Sequence, residues 1–329
     1  MQNPYSSPQE QLRQVMAWYP NKRLYRRKSA KSGKDIISVY APTANFPVYS
    51  HEEWYAENFE SRFLDIDVNR SFFEQFRELQ RIAPVVALLS TQQENAEFCQ
   101  DVENLKNCYL VFDAINCQDV YYSVRIYHSR SCVDVYWVMN SELLYDCVYM
   151  FSCYNTKYSF HCQEAVDSHF LFNCRNVKNS FMCSNLRNKQ YCVYNKQCTK
   201  EEYETFVQNT HLSDYDVIQK FKSEFLQMMS RTPIPRSFLE NCENVEGNYM
   251  KNSQNVVRGF ESFNVKDCEN IFQCSGGMNI VGSFMCNDRV EHCFQSVATG
   301  ISSSNVQNCA FVWHSSNMEY STSVALENS

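Results

Sequence analysis

Small apolar side chains recur through the middle of this chain in a phase of three. The cysteines at 99, 108, 117, 132, 147, 153, 162, 174, 183, 192 and 198 are separated by 9, 9, 15, 15, 6, 9, 12, 9, 9 and 6 residues, each gap a multiple of three. Their surroundings repeat too. Cys174-Arg-Asn-Val-Lys-Asn-Ser-Phe runs into Cys183-Ser-Asn-Leu-Arg-Asn-Lys-Gln, and Cys153-Tyr-Asn-Thr-Lys-Tyr-Ser-Phe into Cys162-Gln-Glu-Ala-Val-Asp-Ser-His. From Asp134 onward the Asn/Asp-like positions alternate 9 and 12 apart, which predicts a turn of 21 residues carrying two copies of the unit. Short β-branched and aromatic stretches at such a period predict a parallel β-solenoid. Cys132 would then stack on Cys153 and Cys174, and Cys162 on Cys183. Cysteine and serine suit a narrow interior, because cysteine behaves as a small hydrophobe. Asn and Asp suit the corners, because they tolerate left-handed backbone and form amide ladders.

Cys242-Glu-Asn-Val, Ser253-Gln-Asn-Val, Cys268-Glu-Asn-Ile, Gly277-Met-Asn-Ile and Ser303-Ser-Asn-Val continue the theme. Their spacing of 11, 15, 9 and 26 predicts wider coils of 24–26 residues. Outside the two blocks the pattern changes. Ser7-Pro8 opens a short helical stretch to about Ala17, and Arg23–Lys28 and Asp35–Tyr40 read as strands joined at Ser32-Gly33-Lys34. Ser71-Phe-Phe-Glu74 has capping-box form and predicts a helix to about Ile82, ahead of Pro84. Thr199-Lys-Glu-Glu202 and Ser213-Asp-Tyr-Asp216 predict two more helices, the second carrying Val217, Phe221, Phe225 and Met228 on one face and ending at Thr232-Pro233. This pair is expected to close the bottom of the first rod. The fold class is therefore mainly β: an α+β cap (1–92) with a basic hairpin, a first β-solenoid (93–198), a helical hinge (199–236) and a second β-solenoid (237–329). The second block stops at Ser329 without a capping helix, so it either is a truncation or exposes an edge for self-association.

Composition narrows the class. The 329 residues are 15% aromatic, with 7 Gly and 8 Pro, which excludes disordered and collagen-like chains. No apolar run reaches the roughly 18 residues of a membrane span, and the polar start is no signal peptide. A cytoplasmic location is expected. The 17 cysteines include no Cys-x-x-Cys, so the commonest zinc spacing is absent, and buried reduced thiols are expected rather than disulfides.

The run Arg23-Leu-Tyr-Arg-Arg-Lys-Ser-Ala-Lys-Ser-Gly-Lys-Asp-Ile-Ile-Ser-Val-Tyr40, Glu53-Trp54, Phe72-Phe-Glu-Gln-Phe-Arg-Glu-Leu79, the Cys/Asn/Tyr ladder and Leu186-Arg-Asn-Lys189 are distinctive together. With them, from about residue 20 onward, the chain resembles a group of uncharacterised ladder-repeat proteins frequent in candidate-phyla bacteria. The resemblance extends through the Lys200-Glu-Glu-Tyr helix and the Thr232-Pro hinge. Such relatives often begin with a zinc-ribbon-like segment and carry cysteine where this chain has Ser29. Here the upstream cysteine pairs are missing, so the resemblance implies no zinc site. The label family III coenzyme A transferase, sometimes given to such proteins, needs an activated carboxylate in an α/β setting that these residues do not resemble. The group supplies no function.

Charge gives the main candidate chemistry. Lys22, Arg23, Arg26, Arg27, Lys28, Lys31 and Lys34 put seven cations in thirteen residues; residues 1–50 carry 8 Lys/Arg against Glu10 and Asp35, hence +6, and with a net charge of −7 the remainder is −13. With Tyr25 among them, they form a candidate nucleic-acid-binding hairpin, against the plainer reading of a solvated face. The acidic remainder would repel a long polyanion. His161-Cys162 and His292-Cys293 make no catalytic dyad, since adjacent strand residues point to opposite sides. No phosphate-cradling glycine loop occurs, and no catalytic residue, metal ligand or cofactor is assigned. The expectation is a non-enzymatic structural or interaction scaffold, whose solenoid face or uncapped end meets a protein partner or another copy. Nucleic-acid association through the hairpin is the alternative. A carbohydrate-binding or carbohydrate-active solenoid is a second one, by fold analogy.

Overall fold

The computed structural model describes residues 23–57, 67, 69–248, 250–254, 256–260, 265–267, 273–274, 276–280, 285–286, 290–293, 298–299, 304, 311–313 and 324–325. The chain separates into two compact units, residues 22–233 and residues 1–21 with 234–329. The helical stretch expected before Ala17 lies outside the described residues.

The first unit opens with an antiparallel hairpin, β1 (Tyr25–Lys28) and β2 (Asp35–Ser38), whose turn uses Gly33 at φ 73°. There follow β3 (Val48–Tyr49), α1 (His51–Tyr55), α2 (Phe72–Ile82) and β4 (Val85–Val86), with β3 and β4 paired in parallel. The expected capping box at Ser71 does not form, although α2 does. The side chain of Gln75 instead reaches back, donating to the Asp67 carbonyl at 3.0 Å and accepting from the Asp67 amide at 2.8 Å.

From Ser90 the chain builds a nine-stranded, mostly parallel sheet. Its strands are β5 (Ser90–Glu97), β6 (Gln100–Tyr127), β7 (Arg130–Met139), β8 (Glu142–Phe151), β9 (Tyr154–Lys157), β10 (Phe160–Phe172), β11 (Arg175–Ser184), β12 (Arg187–Val193) and β13 (Lys196–Gln197). Strand follows strand in chain order, and β13 alone runs antiparallel to its neighbour. The parallel pairs share one register: Ser90 faces Val102, Cys132 faces Leu144 and Leu171 faces Cys183, always twelve residues on.

That offset corrects the 21-residue coil. Cys162 pairs with Met150 and Cys132 with Leu144, so neither of the expected cysteine stacks is formed. The triplet phase behind the error is real. Residues at every third position from Gln92 to Tyr194 have φ between about 44° and 62°. From Phe98 to Met182 the residue following each is buried, as at Cys99, Val102, Leu105, Cys108, Val111 and Ala114. Four triplets separate one row from the next, so an interior position recurs at every multiple of three whichever row it belongs to. Spacing alone therefore could not give the row length.

The left-handed corners explain why Cys and Ser interchange inside. Each turns a carbonyl toward the interior, and the buried side chain two residues on donates to it. Ser141 Oγ donates to the Met139 carbonyl at 3.0 Å, and Cys147 Sγ to the Tyr145 carbonyl at 3.3 Å. The same groups accept from the next row: Ser141 Oγ takes the Cys153 amide at 3.1 Å, and Cys183 Sγ the Asn195 amide at 3.3 Å. A hydroxyl or thiol is small enough for this interior and gives the next row's buried amide an acceptor, while the carbonyls also take next-row amides, as Met139 takes Ser152 at 3.0 Å and Tyr145 takes Tyr158 at 2.9 Å.

Two helices complete this unit, α3 (Lys200–Asn209) and α4 (Tyr215–Arg231). Thr199 and Glu202 form the expected capping box, whereas the cap of α4 is Asp214, which accepts from the amides of Asp216 and Val217. The pair packs on the flank of the sheet, not across its end. Phe225 of α4 and Tyr203 of α3 join Tyr158, Phe170, Phe181 and Met182 in one buried cluster. An aromatic flank offers these amphipathic helices more apolar area than the polar amides of a sheet end.

The second unit is described in part. Leu239 pairs with Met250, Gln273 with Met285 and Ala298 with Phe311, all in parallel with offsets of 11 to 13 residues. These replace the expected 24–26-residue coils. Met250, Val256, Val265 and Val290 form its buried cluster.

Candidate interaction surface

The thiols face inward. Ten of the twelve cysteines described as free are buried, and Cys198 and Cys242 are half-buried. Burial pushes Cys99 and Cys153 up to about 11 and Cys117, Cys132 and Cys183 up to about 12. Cys162 is likewise held protonated by burial, its S–H donating to the Phe160 carbonyl at 3.4 Å, and interaction with the Cys162 thiol lowers Cys174. A thiol kept neutral is a poor nucleophile. His161 points the other way from Cys162, its ring tilted against Tyr149 at 5.0 Å and its Nδ1 3.3 Å from Asn173 Oδ1.

The basic hairpin forms, but its cations diverge. Lys22 lies outside the described residues. Strand alternation leaves Arg26 and Lys28 exposed and turns Arg27 inward, where it donates to the Ala41 carbonyl at 3.0 Å and burial lowers its pKa. Lys28 pairs with Asp35 at 2.8 Å and Lys31 with Glu57 at 2.6 Å, while Arg23 lies 5.4 Å over the Tyr25 ring. Lys34 is exposed at the turn. Ser29 orders this region: its hydroxyl donates to the Glu53 carboxylate, the main reason Glu53 is lowered to about 2.

Outside the sheet, residues twelve apart stack into columns, and each column has its own chemistry. Two are amide ladders. Asn95 donates to Asn107 and Asn107 to Asp119, each at 3.0 Å, and Asn104 donates to Asn116 at 2.6 Å. A third column is mixed. Asp113 lies 3.7 Å from Arg125 and takes the Tyr127 hydroxyl at 2.6 Å, and Arg125 sits 3.9 Å over Trp137. Trp137 meets Tyr149 edge-on at 4.4 Å. Arg125 and Trp137 are buried, so this column is a packed network.

The remaining columns make an aromatic flank around the corner occupied by Tyr122, Asp134, Asp146, Tyr158 and Phe170. Its upper part lies beneath α3 and α4. Its lower part is open: Tyr122 is 54% exposed, Tyr145 39%, Tyr136 37% and Tyr121 36%. An open groove of about 780 Å³ also runs between α3 and α4, lined by Glu202, Phe206, His211, Lys220 and Phe221. The sequence predicts a binding face but places no residue on it. The signal was the recurrence of aromatics at offsets of twelve, as at Tyr109 and Tyr121 or Tyr158 and Phe170, which becomes visible only once the row length is known.

No protein-family model and no curated protein matches the chain. A crystal structure described as a "putative acetyltransferase from Desulfovibrio desulfuricans G20" aligns over 70% of this chain and 68% of that one, at 12% identity and a TM-score of 0.14. So low a score carries no argument about fold or function.

Proposed function

We propose that residues 90–198 form a parallel β-solenoid of twelve-residue coils acting as a non-enzymatic scaffold, which presents an outer face to a protein partner. One observation supports this reading: ten of the twelve described thiols are buried, with bonds to backbone such as those of Cys147, while outward positions stack into columns that carry amide ladders and aromatic rows. Such a surface is built to be contacted, because exposed aromatic patches of this kind mark interaction sites. Nucleic-acid association through Arg23, Arg26 and Lys34 is the competing reading.

Hydrogen exchange of the full chain in nuclease-treated extract of its own cells tests the proposal. Added protection is expected at outward positions between residues 97 and 198. Protection confined to the 23–34 hairpin, or none anywhere, overturns it.

A further inference from the structure

The exposed aromatic flank continues, without a break in register, an interface the chain already makes with one of its own helices. Helix α4 lays Phe221 and Phe225 against Phe170, at 5.8 and 5.7 Å between ring centroids. Lys222, beside them, pairs with Asp146 at 2.5 Å and lies 5.2 Å over Tyr158. Read downward, the corner column beneath α4 is therefore Phe170, Tyr158, Asp146: two aromatic rows and a carboxylate that takes a lysine.

The next member of the column is Asp134, and below it come Tyr122, Leu110 and Phe98, each twelve residues from the last. The lower half thus repeats the recognition elements in reverse, a carboxylate followed by aromatic and aliphatic rows. Asp134 and Tyr122 are both exposed. The rings are held in place by each other: Phe98 meets Tyr109 at 5.5 Å and Tyr109 meets Tyr122 at 5.8 Å, both edge-on. Tyr121 and Tyr136 flank the column on its two sides, one residue before and two residues after the corner positions of their rows. The flank is rigid because its backbone belongs to the sheet.

We infer that the Asp134–Tyr122–Leu110 corner is the docking site for an amphipathic helix of a partner protein. That helix carries two aromatic or methionine side chains one turn apart with a lysine or arginine beside one of them, and it runs opposite to α4. Charge complementarity and continuity with the α4 interface select this occupant. Helix-in-groove recognition depends on such i, i+3 and i, i+4 anchors. The inference rests on the scaffold reading above, and names its surface and partner.

A fluorescein-labelled, end-capped peptide of Tyr215–Arg231, the chain's own example of such a helix, is the probe. Anisotropy with the full chain is expected to give micromolar binding, weakened about tenfold or more by Tyr122→Ser and by Asp134→Lys. Asn176→Ala, in an amide column, is expected to leave it unchanged. Both test positions are exposed, and far-UV circular dichroism checks that each variant keeps its fold. No binding up to ~100 µM, or binding that Tyr122→Ser and Asp134→Lys do not weaken, overturns the inference. If the peptide fails while exchange protection still falls on other outward columns, this docking site is lost and the scaffold reading stands. If the protection is missing as well, both are lost.

Discussion

Replacing Ser141 by Ala and by Cys separates what the interior needs as volume from what it needs as hydrogen bonding. Ser141 is 4% exposed; its hydroxyl donates to the Met139 carbonyl at 3.0 Å and accepts the Cys153 amide at 3.1 Å. Ser141→Ala leaves the buried Cys153 amide without its acceptor, while the Met139 carbonyl keeps the Ser152 amide at 3.0 Å. One unsatisfied buried group costs about 1–3 kcal/mol, so a loss of about 2 kcal/mol is expected. Ser141→Cys adds little volume and restores both bonds in the manner of its neighbours. Cys153 Sγ donates to the Phe151 carbonyl at 3.3 Å and accepts the Ala165 amide at 3.5 Å. Its expected loss is below about 1 kcal/mol, in the range of volume-conserving core changes. Urea unfolding in reductant, followed by both circular dichroism and tryptophan fluorescence, measures the difference. Coincidence of the two probes establishes that the repeat block unfolds as a unit, which repeat proteins need not do. Equal losses for Ala and Cys would refute the view that cysteine and serine interchange here as hydrogen-bonding groups.

At Asn107, with φ 52° and a hydrogen bond on either side, both Ala and Gly break the ladder, but Gly accepts the left-handed corner; urea midpoints should rank Ala below Gly by about 1 kcal/mol. Identical midpoints would mean the corner imposes no backbone demand. Stability should also fall in alkali. Cys99, Cys117, Cys132, Cys153 and Cys183 are raised by burial to about 11–12, so the folded chain holds protons that an unfolded thiol releases near pH 8.5. Their contribution is complete below that pH and is lost as pH rises toward 11–12, at about 1.4 kcal/mol per pH unit per thiol. A urea midpoint unchanged between pH 8 and ~10 in reductant would contradict this.

The hairpin, the helices from Phe72, Lys200 and Tyr215, and the phase of three were all readable, because each rests on local chemistry. Gly33 sets a turn, Thr199 with Glu202 closes a box, and a small residue must fill every third position. The row length was not readable for a physical reason. Stacked interior positions need only be small or apolar, so vertical neighbours such as Cys132 and Leu144 share no identity, while units on different sides of one row look alike. Interior similarity therefore does not mark the row length. The surface suffered the same loss. Tyr122, Asp134 and Asp146 are unremarkable in sequence and become a recognition column only at an offset of twelve. The basic hairpin shows the converse. Its cations cluster in sequence, yet strand alternation turns Arg27 inward, and acidic partners from outside the run or across the hairpin take Lys31 and Lys28.

A sheet whose rows are so alike must also avoid pairing one row out of place, and its amide ladders cannot prevent this. A slip of one row still sets Asn95 against Asp119 and Asn116 against Asn140, with little loss. The mixed column does discriminate. Asp113 meets Arg125 as an ion pair, Arg125 meets Trp137 through its ring face, Trp137 meets Tyr149 edge to ring, Tyr149 meets His161 as tilted rings, and His161 meets Asn173 by hydrogen bond. No two of these contacts are interchangeable. A one-row slip would set Asp113 against Trp137 and leave the Arg125 guanidinium, 6% exposed, without its carboxylate. Removing the partner from a buried charge costs about 3–5 kcal/mol, more than an amide ladder distinguishes. Register here is fixed by heterogeneity on the outside, because the interior, in which Cys, Ser, Val and Leu substitute for one another, leaves it nearly degenerate.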